Sequence, residues 1–338
     1  MIPGILLTVF LVSLALTALL TRYRHRIAII DVPNQRSLHT DEKPRTGGIA
    51  IFLAISSGVF LILLQGWELE NFKTPAIAVL LITGIALIDD IRPLSAMTRF
   101  AVQLTAAAII VSTGLIPDTL ALPGISLSLP VWLALPLTLL FILWMTNLYN
   151  FMDGVDGLAA GMAVIGFLGM AILGELSDKP LFFIVNLLIS FASAGFLLFN
   201  FPPARIFMGD LGSTLLGFLA SIQILWADKL NIFPIWIGIL LFSPFILDAT
   251  WTLSRRLFAG ERIWDAHRSH FYQRLVLAGW GHRRTVLAEY LLMFLVMLTA
   301  ILVIDQDQNL QMAALVFWVC AYLALMLLVK QQEQQAKN

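Results

Sequence analysis

Eleven stretches of this chain run for 14 to 20 residues with at most one charged side chain: roughly 4–20, 48–65, 75–88, 100–116, 130–146, 158–173, 181–199, 213–227, 233–252, 286–304 and 310–329. A hydrocarbon core about 30 Å thick takes about 20 apolar residues of helix, so repeated runs of this kind are transmembrane helices. Of the 338 residues, 59% are apolar and 12% charged, with a mean hydropathy of +0.88. A soluble domain has no use for so much apolar surface. The sequence therefore predicts an all-α polytopic membrane protein, a single transmembrane domain over 1–338 with about eleven helices. The first run lacks a positive leader and a small-x-small cleavage site, so it reads as a retained helix. Net charge is zero, which gives no support for a nucleic-acid partner. Cys320 stands alone and provides no disulfide framework.

Orientation follows from the basic residues. Segments 21–47, 89–99, 200–212 and 253–285, with the tail from Lys330, hold eighteen of the 21 Lys and Arg; the opposite loops keep only Lys73, Lys179 and Lys229. Positive charge is retained in the cytoplasm, which predicts an N-terminus outside and a C-terminus inside.

Three acidic clusters then fall on the cytoplasmic side. Asp89-Asp90 closes one run, Asn147 to Gly157 joins two others, and Gly209-Asp210-x-Gly212-Ser213 opens a fourth. Ionisable groups so close to hydrocarbon are costly and normally mark a site. The bordering runs 75–88, 158–173 and 213–227 are short, about 21–24 Å of helix, which predicts carboxylates set below the interface in a cleft open to the cytoplasm. Loops 21–47, 89–99, 147–157, 200–212 and 253–285 are expected to form one active site.

The residue types narrow the chemistry. Asp89 and Asp90 diverge by about 100° on a helix, so one ligand does not serve both, and like charges this close favour a proton or metal on one of them. The plain reading is a solvated helix end before the stop signal Arg92-Pro93. Arg99 and Gln103 follow at helical spacing, where an arginine either meets a phosphate or anchors the interface. Asn147, Asn150, Asp153 and Asp156 recur three apart, and the last three offer the hard oxygen ligands that Mg²⁺ accepts beside substrate phosphate; a mere turn rarely needs four such groups. Asp210 and Ser213 suit a helix cap, and a helix N-terminus also attracts phosphate. Segment 253–285 carries Asp265, His267, Arg268, His270, Gln273, Arg274, His282, Arg283 and Arg284, with Trp264, Tyr272 and Trp280 between them. A basic cytoplasmic loop beside acidic clusters predicts phosphate and sugar contact through His267, Arg268, His270 and Arg274. Zinc on His267 and His270 is the rival, weakened by the lack of a nearby cysteine. Asp248 either faces the cleft or pairs with Arg255, and 31–48 reads as a solvated, turn-rich loop.

In this order, Asp89-Asp90, Asn150-x-x-Asp153-Gly-x-Asp156-Gly157 and Gly209-Asp210-x-Gly212-Ser213 resemble the motifs of the polyprenyl-phosphate N-acetylhexosamine-1-phosphate transferases, of the glycosyltransferase family 4 type. The resemblance runs from Pro33-Asn34…Gly47-Gly48 to the His270 loop. It implies a bacterial inner-membrane enzyme that moves a sugar-1-phosphate from a UDP-N-acetylhexosamine to undecaprenyl phosphate and releases UMP. It also implies Mg²⁺, with Mn²⁺ as the alternative, held by Asp210 and Asn150 with the substrate diphosphate. Asp89 and Asp90 would act near the lipid phosphate, and Asp153, Asp156 and Arg99 would line the nucleotide and diphosphate site with Asn147 nearby. Many relatives have Lys in place of Arg99, and many carry clustered histidines where His270 here precedes Phe271, Tyr272, Gln273 and Arg274. That departure resembles the O-antigen-initiating branch. The alternatives are a peptidoglycan-precursor phospho-N-acetylmuramoyl-pentapeptide transferase and, in another class, a secondary transporter, whose carboxylates belong near the midplane. A homodimer is left open.

Overall fold

A computed structural model describes residues 2–23, 29–31, 42–68, 73–261 and 267–337. Helices α1 (Ile2–Arg22), α2 (Gly47–Leu64), α3 (Lys73–Ile91) and α4 (Ala96–Ser112) are followed by α5 (Val131–Phe151), α6 (Leu158–Leu176), α7 (Pro180–Asn200) and α8 (Gly209–Lys229). Then come α9 (Ile235–Leu241), α10 (Ser243–Phe258), α11 (Phe271–Leu275), α12 (Gly281–Val303) and α13 (Gln308–Lys337). Two small antiparallel hairpins complete the chain: β1 (Ile30–Asp31) with β2 (Lys43–Pro44), and β3 (Thr119–Leu122) with β4 (Ile125–Ser128). This is an all-α polytopic membrane protein. Among the described residues nine helical stretches are long and apolar enough to cross a membrane; α9 with α10 form a bent pair, and α4 is a shorter apolar helix.

Each apolar run of the sequence lies on a helix, with three corrections. The run 233–252 is two helices meeting at 83°. Pro244, at the start of α10, has no N–H to donate and would clash with a continuing turn, so the helix breaks there. The runs beside the acidic clusters are not short helices: α3, α6 and α8 have 19, 19 and 21 residues, close to 30 Å each. Helical structure continues through the polar residues, so Asp89 and Asp90 sit in the last turn of α3 and Asp210 in the first of α8. The segment 147–157 is likewise helical up to Phe151. Pro33, Asn34, Trp264 and Asp265 lie outside the described residues.

The centre of the bundle is α8, with 83% of its membrane window buried, then α6 at 72% and α7 at 61%; α13, at 17%, is peripheral. Small residues permit that centre, because apolar helices in lipid gain most by close backbone approach. Polar contacts then fix register: Asn186 Nδ2 of α7 donates to Gln223 Oε1 of α8 at 2.9 Å, and Ser13 Oγ of α1 donates to the Ala192 carbonyl of α7 at 2.6 Å. The helix ends that meet around α8 carry the acidic clusters.

Candidate active site

Asp90 holds the entry of α8. Its Oδ1 accepts from the Asp210 N–H at 3.1 Å and its Oδ2 from the Leu211 N–H at 3.0 Å. A carboxylate is favoured there because the first turn of a helix has free N–H groups and a positive dipole end. Gly209 makes the approach feasible, with φ at +74° and the Arg45 carbonyl and Asp90 carboxylate standing where a Cβ would project. Arg45 covers Asp90 in turn: Nη2 donates to the Asp90 carbonyl at 2.7 Å, and Nε lies 3.8 Å from Oδ1. The segment around Arg45 is pinned by the β1–β2 pairing and by backbone bonds from Gly47 to Phe207 (3.0 Å) and Gly48 to Met208 (2.7 Å). The sequence reading placed Asp90 near the lipid phosphate; the structure commits both its oxygens to holding Asp210. Asp89 accepts from the Leu94 N–H at 2.6 Å and from Arg99 Nη1 at 2.8 Å, and its carboxyl also lies against that of Asp210, so the two neighbours meet the same residue from different sides. Arg99 is thus tied to Asp89 while its side chain stays 44% exposed.

Asn150 Nδ2 reaches Asp210 Oδ1 at 3.1 Å and Ser213 Oγ at 3.2 Å. Its amide nitrogen rather than its oxygen faces the carboxylate, so as a metal ligand it would have to turn over. Asp153 makes no side-chain hydrogen bond or ion pair among the described residues. It keeps partial contact with solvent, yet burial of its surroundings together with Asp210, Asp90 and Asp156 pushes its carboxyl up to about 8. Asp156 goes the other way. Burial would raise it, but His282 (Nδ1 at 3.4 Å), the Ala204 N–H (2.9 Å) and nearby Lys43 outweigh burial and hold it below the usual carboxylate range.

These five carboxylates and one amide are the hard donor set that Mg²⁺ takes. Among the described residues no three His, Cys, Asp or Glu side chains form a closed metal cage. Mg²⁺ seldom needs one, being held by one or two carboxylates with water and substrate phosphates. Asp210, held from two sides, and the unpaired Asp153 fit that demand.

The histidine loop packs on this cluster. Tyr272 Oη donates to the Phe151 carbonyl at 3.0 Å, and Tyr272 and Gln273 both lie over Gly154. Asp248 organises the loop, accepting from His270 Nδ1 (3.1 Å), the Phe271 N–H (3.0 Å), the Tyr272 N–H (3.2 Å) and Thr252 Oγ1 (3.1 Å). Neither alternative read from the sequence for Asp248 describes this role as an anchor of α11.

Several expected ligand contacts are spent elsewhere. His270 is 2% exposed, with Nδ1 on Asp248 and its ring stacked on Tyr272. Arg274 forms a two-pronged pair with Glu333, Nε at 2.7 Å and Nη2 at 2.5 Å. Asn147 donates to Gln103 Oε1 and the Leu143 carbonyl, each at 2.8 Å, joining α5 to α4. His267 is lowered to about 4, by burial first and then by His270 and Arg256, so it is neutral at physiological pH. Arg268 is exposed and points no contact at the chain among the described residues.

Sequence reasoning missed Arg45, Glu333 and Asn200. Asn200 Oδ1 accepts from the Gly157 N–H and its Nδ2 donates to the Ile206 carbonyl, both at 2.9 Å, so one amide joins two loops of the site. The signal was an amide ending a long apolar run.

Carboxylates gathered at helix ends, with arginines and lysine on their rim, define a membrane-embedded site for phosphate chemistry. The model of "Glycosyl transferase family 4" matches residues 73–228, which contain all three acidic clusters. A probable undecaprenyl-phosphate N-acetylglucosaminyl 1-phosphate transferase of Bacillus subtilis (strain 168) is 37% identical over 300 residues, covering 86% of this chain and 83% of the relative. The decaprenyl-phosphate N-acetylglucosaminephosphotransferase of Mycobacterium leprae (strain TN) is 33% identical, covering 84% and 79%. A phospho-N-acetylmuramoyl-pentapeptide-transferase of Shouchella clausii (strain KSM-K16) is 34% identical over 73% of this chain and 79% of its own. The chain belongs to the polyprenyl-phosphate N-acetylhexosamine-1-phosphate transferase superfamily of glycosyl transferase family 4.

Proposed function

We propose that this protein transfers N-acetylglucosamine-1-phosphate from UDP-N-acetylglucosamine to undecaprenyl phosphate and releases UMP. The supporting observation is the cluster of Asp89, Asp153 and Asp210 at the ends of membrane helices, where a soluble diphosphate and a lipid phosphate both have access. The first two relatives, named for this transfer, support the same reading. With the cluster on the cytoplasmic face, as the Lys and Arg bias implies, the product is the starting lipid of a cell-surface polysaccharide such as O-antigen.

In the reaction an oxygen of the acceptor phosphate bonds to the β-phosphorus of the donor. The bond from that phosphorus to the bridging oxygen breaks, and the electron pair leaves with UMP. Phosphoryl transfer depends mostly on positioning and charge neutralisation. Asp90, Asn150 and Gly209 hold Asp210 still, and Arg99 offers an exposed guanidinium to phosphate oxygens. An acceptor phosphate that arrives as a dianion needs no base. Bound through Asp210 and Asp153, Mg²⁺ would neutralise the diphosphate and the leaving phosphate. Asp156 and the backbone around Gly154 line the nucleotide side.

Purified protein supplied with radiolabelled UDP-N-acetylglucosamine and undecaprenyl phosphate in detergent tests this directly. Labelled lipid with stoichiometric UMP is expected. Turnover of UDP-N-acetylmuramoyl-pentapeptide in place of UDP-N-acetylglucosamine would replace this reading with the peptidoglycan one.

A further inference from the structure

A groove of about 1070 Å³ opens between α2, α3, α7 and α8, away from the carboxylates. Apolar residues make its walls, among them Phe52, Val59, Val79, Val185 and Leu219. Its volume stands at the top of the roughly 300–1,000 Å³ usual for small-molecule pockets. Phe60 and Leu80 line its flank and are 59% and 58% exposed, so the side of the groove faces hydrocarbon.

The two ends differ. Lys179 and Lys229 line one end together with Glu68. Lys179 precedes α7 and Lys229 closes α8, whereas Asn200 and Gly209, at the other ends of those helices, belong to the active site. Among the described residues neither lysine is in an ion pair. Helices α3 and α7 begin at this end, where Pro75 and Pro180 line the groove, while α2 and α8 finish there, so the helix-end potentials offset and the two lysines against Glu68 set the sign. The charge balance of the mouth is positive despite Glu68. At the opposite end α2 and α8 meet at Gly48 and Gly212, where a Cβ on either residue would collide with the other's backbone. That crossing separates the groove from Asp210.

We propose that this groove binds one anionic glycerophospholipid of the leaflet opposite the active site. Its phosphodiester lies between Lys179 and Lys229, and one acyl chain lies along α8 towards Leu215. From Leu230 to Leu215, both in the wall, is about 22 Å of helix, longer than the roughly 15 Å depth of one leaflet. The acceptor's polyprenyl chain does not fit this assignment, because its phosphate must reach the carboxylates at the far side of the Gly48–Gly212 crossing. The lipid site is independent of the proposed transfer reaction.

Native mass spectrometry of the full chain tests it, titrating delipidated protein with phosphatidylglycerol and, separately, phosphatidylcholine. One phosphatidylglycerol should bind more tightly than phosphatidylcholine. Lys179→Ala with Lys229→Ala should weaken phosphatidylglycerol about 30-fold, at about 1 kcal/mol for each lysine, and leave phosphatidylcholine unchanged. Val59→Trp, which fills the groove without touching its charges, should remove that binding step. Equal affinity for the two lipids, or unchanged binding in both variants, overturns the proposal. So does one-for-one displacement of phosphatidylglycerol by undecaprenyl phosphate, which would assign the groove to the acceptor.

Discussion

The carboxylate cluster and the histidine loop face each other across Gly154, yet they rest on opposite parts of the bundle. The cluster is built on the ends of α3 and α8, and α8 is 83% buried across its membrane window. The loop hangs between α10 and α12 and is braced by α13, which is 17% buried. In the cluster, Asp90 secures the backbone of Asp210 and leaves Asp153 and part of Asp210 for a ligand. In the loop, the most conspicuous side chains are consumed in holding the loop itself. Residue type alone therefore reported function well in the rigid region and overstated it in the suspended one.

The contrast breaks most sharply at Asp210. Asp210→Ala should lower transfer by roughly 10³-fold, the scale of removing one main electrostatic group from a phosphoryl or acyl transfer site, with the thermal midpoint nearly unchanged. Asp90→Asn comes next and differs in kind. An amide offers one acceptor where two N–H groups need one each, so stability should fall by about 1–2 kcal/mol and activity should drop along with the melting temperature. Asp89→Asn should be milder in melting temperature, because Asp89 grips no N–H of α8; it holds Leu94 and Arg99 and lies beside the Asp210 carboxyl. Equal losses in both would erase the distinction between a group that holds α8 and one that faces substrate.

For the loop, Arg274→Ala and Glu333→Ala should have matching effects. Each should raise the KM for the UDP-sugar by roughly 10-fold, about 1–2 kcal/mol, between the worth of an exposed pair and the cost of breaking a fully buried one, without altering the KM for the lipid. Exchanging the two charges should restore part of the loss. Were Arg274 a direct phosphate contact, as the sequence suggested, Glu333→Ala would do little and the exchange would rescue nothing.

The smallest effect is on pH dependence. Asp153 has a folded carboxyl near 8, against an unfolded value of 3.8. The folded state therefore binds the proton more tightly, and its contribution to stability is full below 3.8 and is lost as pH rises towards 8. Metal-free protein should melt at progressively lower temperature over that window. Asp153→Asn should flatten the dependence and melt above the wild type near pH 8. A parallel decline in the variant would assign the effect to another group.

Much of this architecture was legible. Apolar runs placed the helices because lipid leaves the backbone no other option, and the three acidic clusters converge as their spacing along the chain required. What escaped reading was pairing at long range. Asp90 meets α8 across 120 residues and Arg274 meets Glu333 across 59, and no local pattern announces either partner. The break at Pro244 went unread, although a proline within an apolar run is its local sign. Helix length was misjudged for a related reason: polar residues were taken to end helices that in fact carry them inward.

The account rests on Asp210 and Asp153 holding a divalent ion together with the donor diphosphate. Electron paramagnetic resonance of Mn²⁺, titrated into metal-free protein saturated with UDP-N-acetylglucosamine, measures this without requiring turnover. One bound Mn²⁺ per chain is predicted for the wild type, released by excess Mg²⁺ and absent in Asp210→Ala. Equal Mn²⁺ binding in wild type and Asp210→Ala would contradict the central claim.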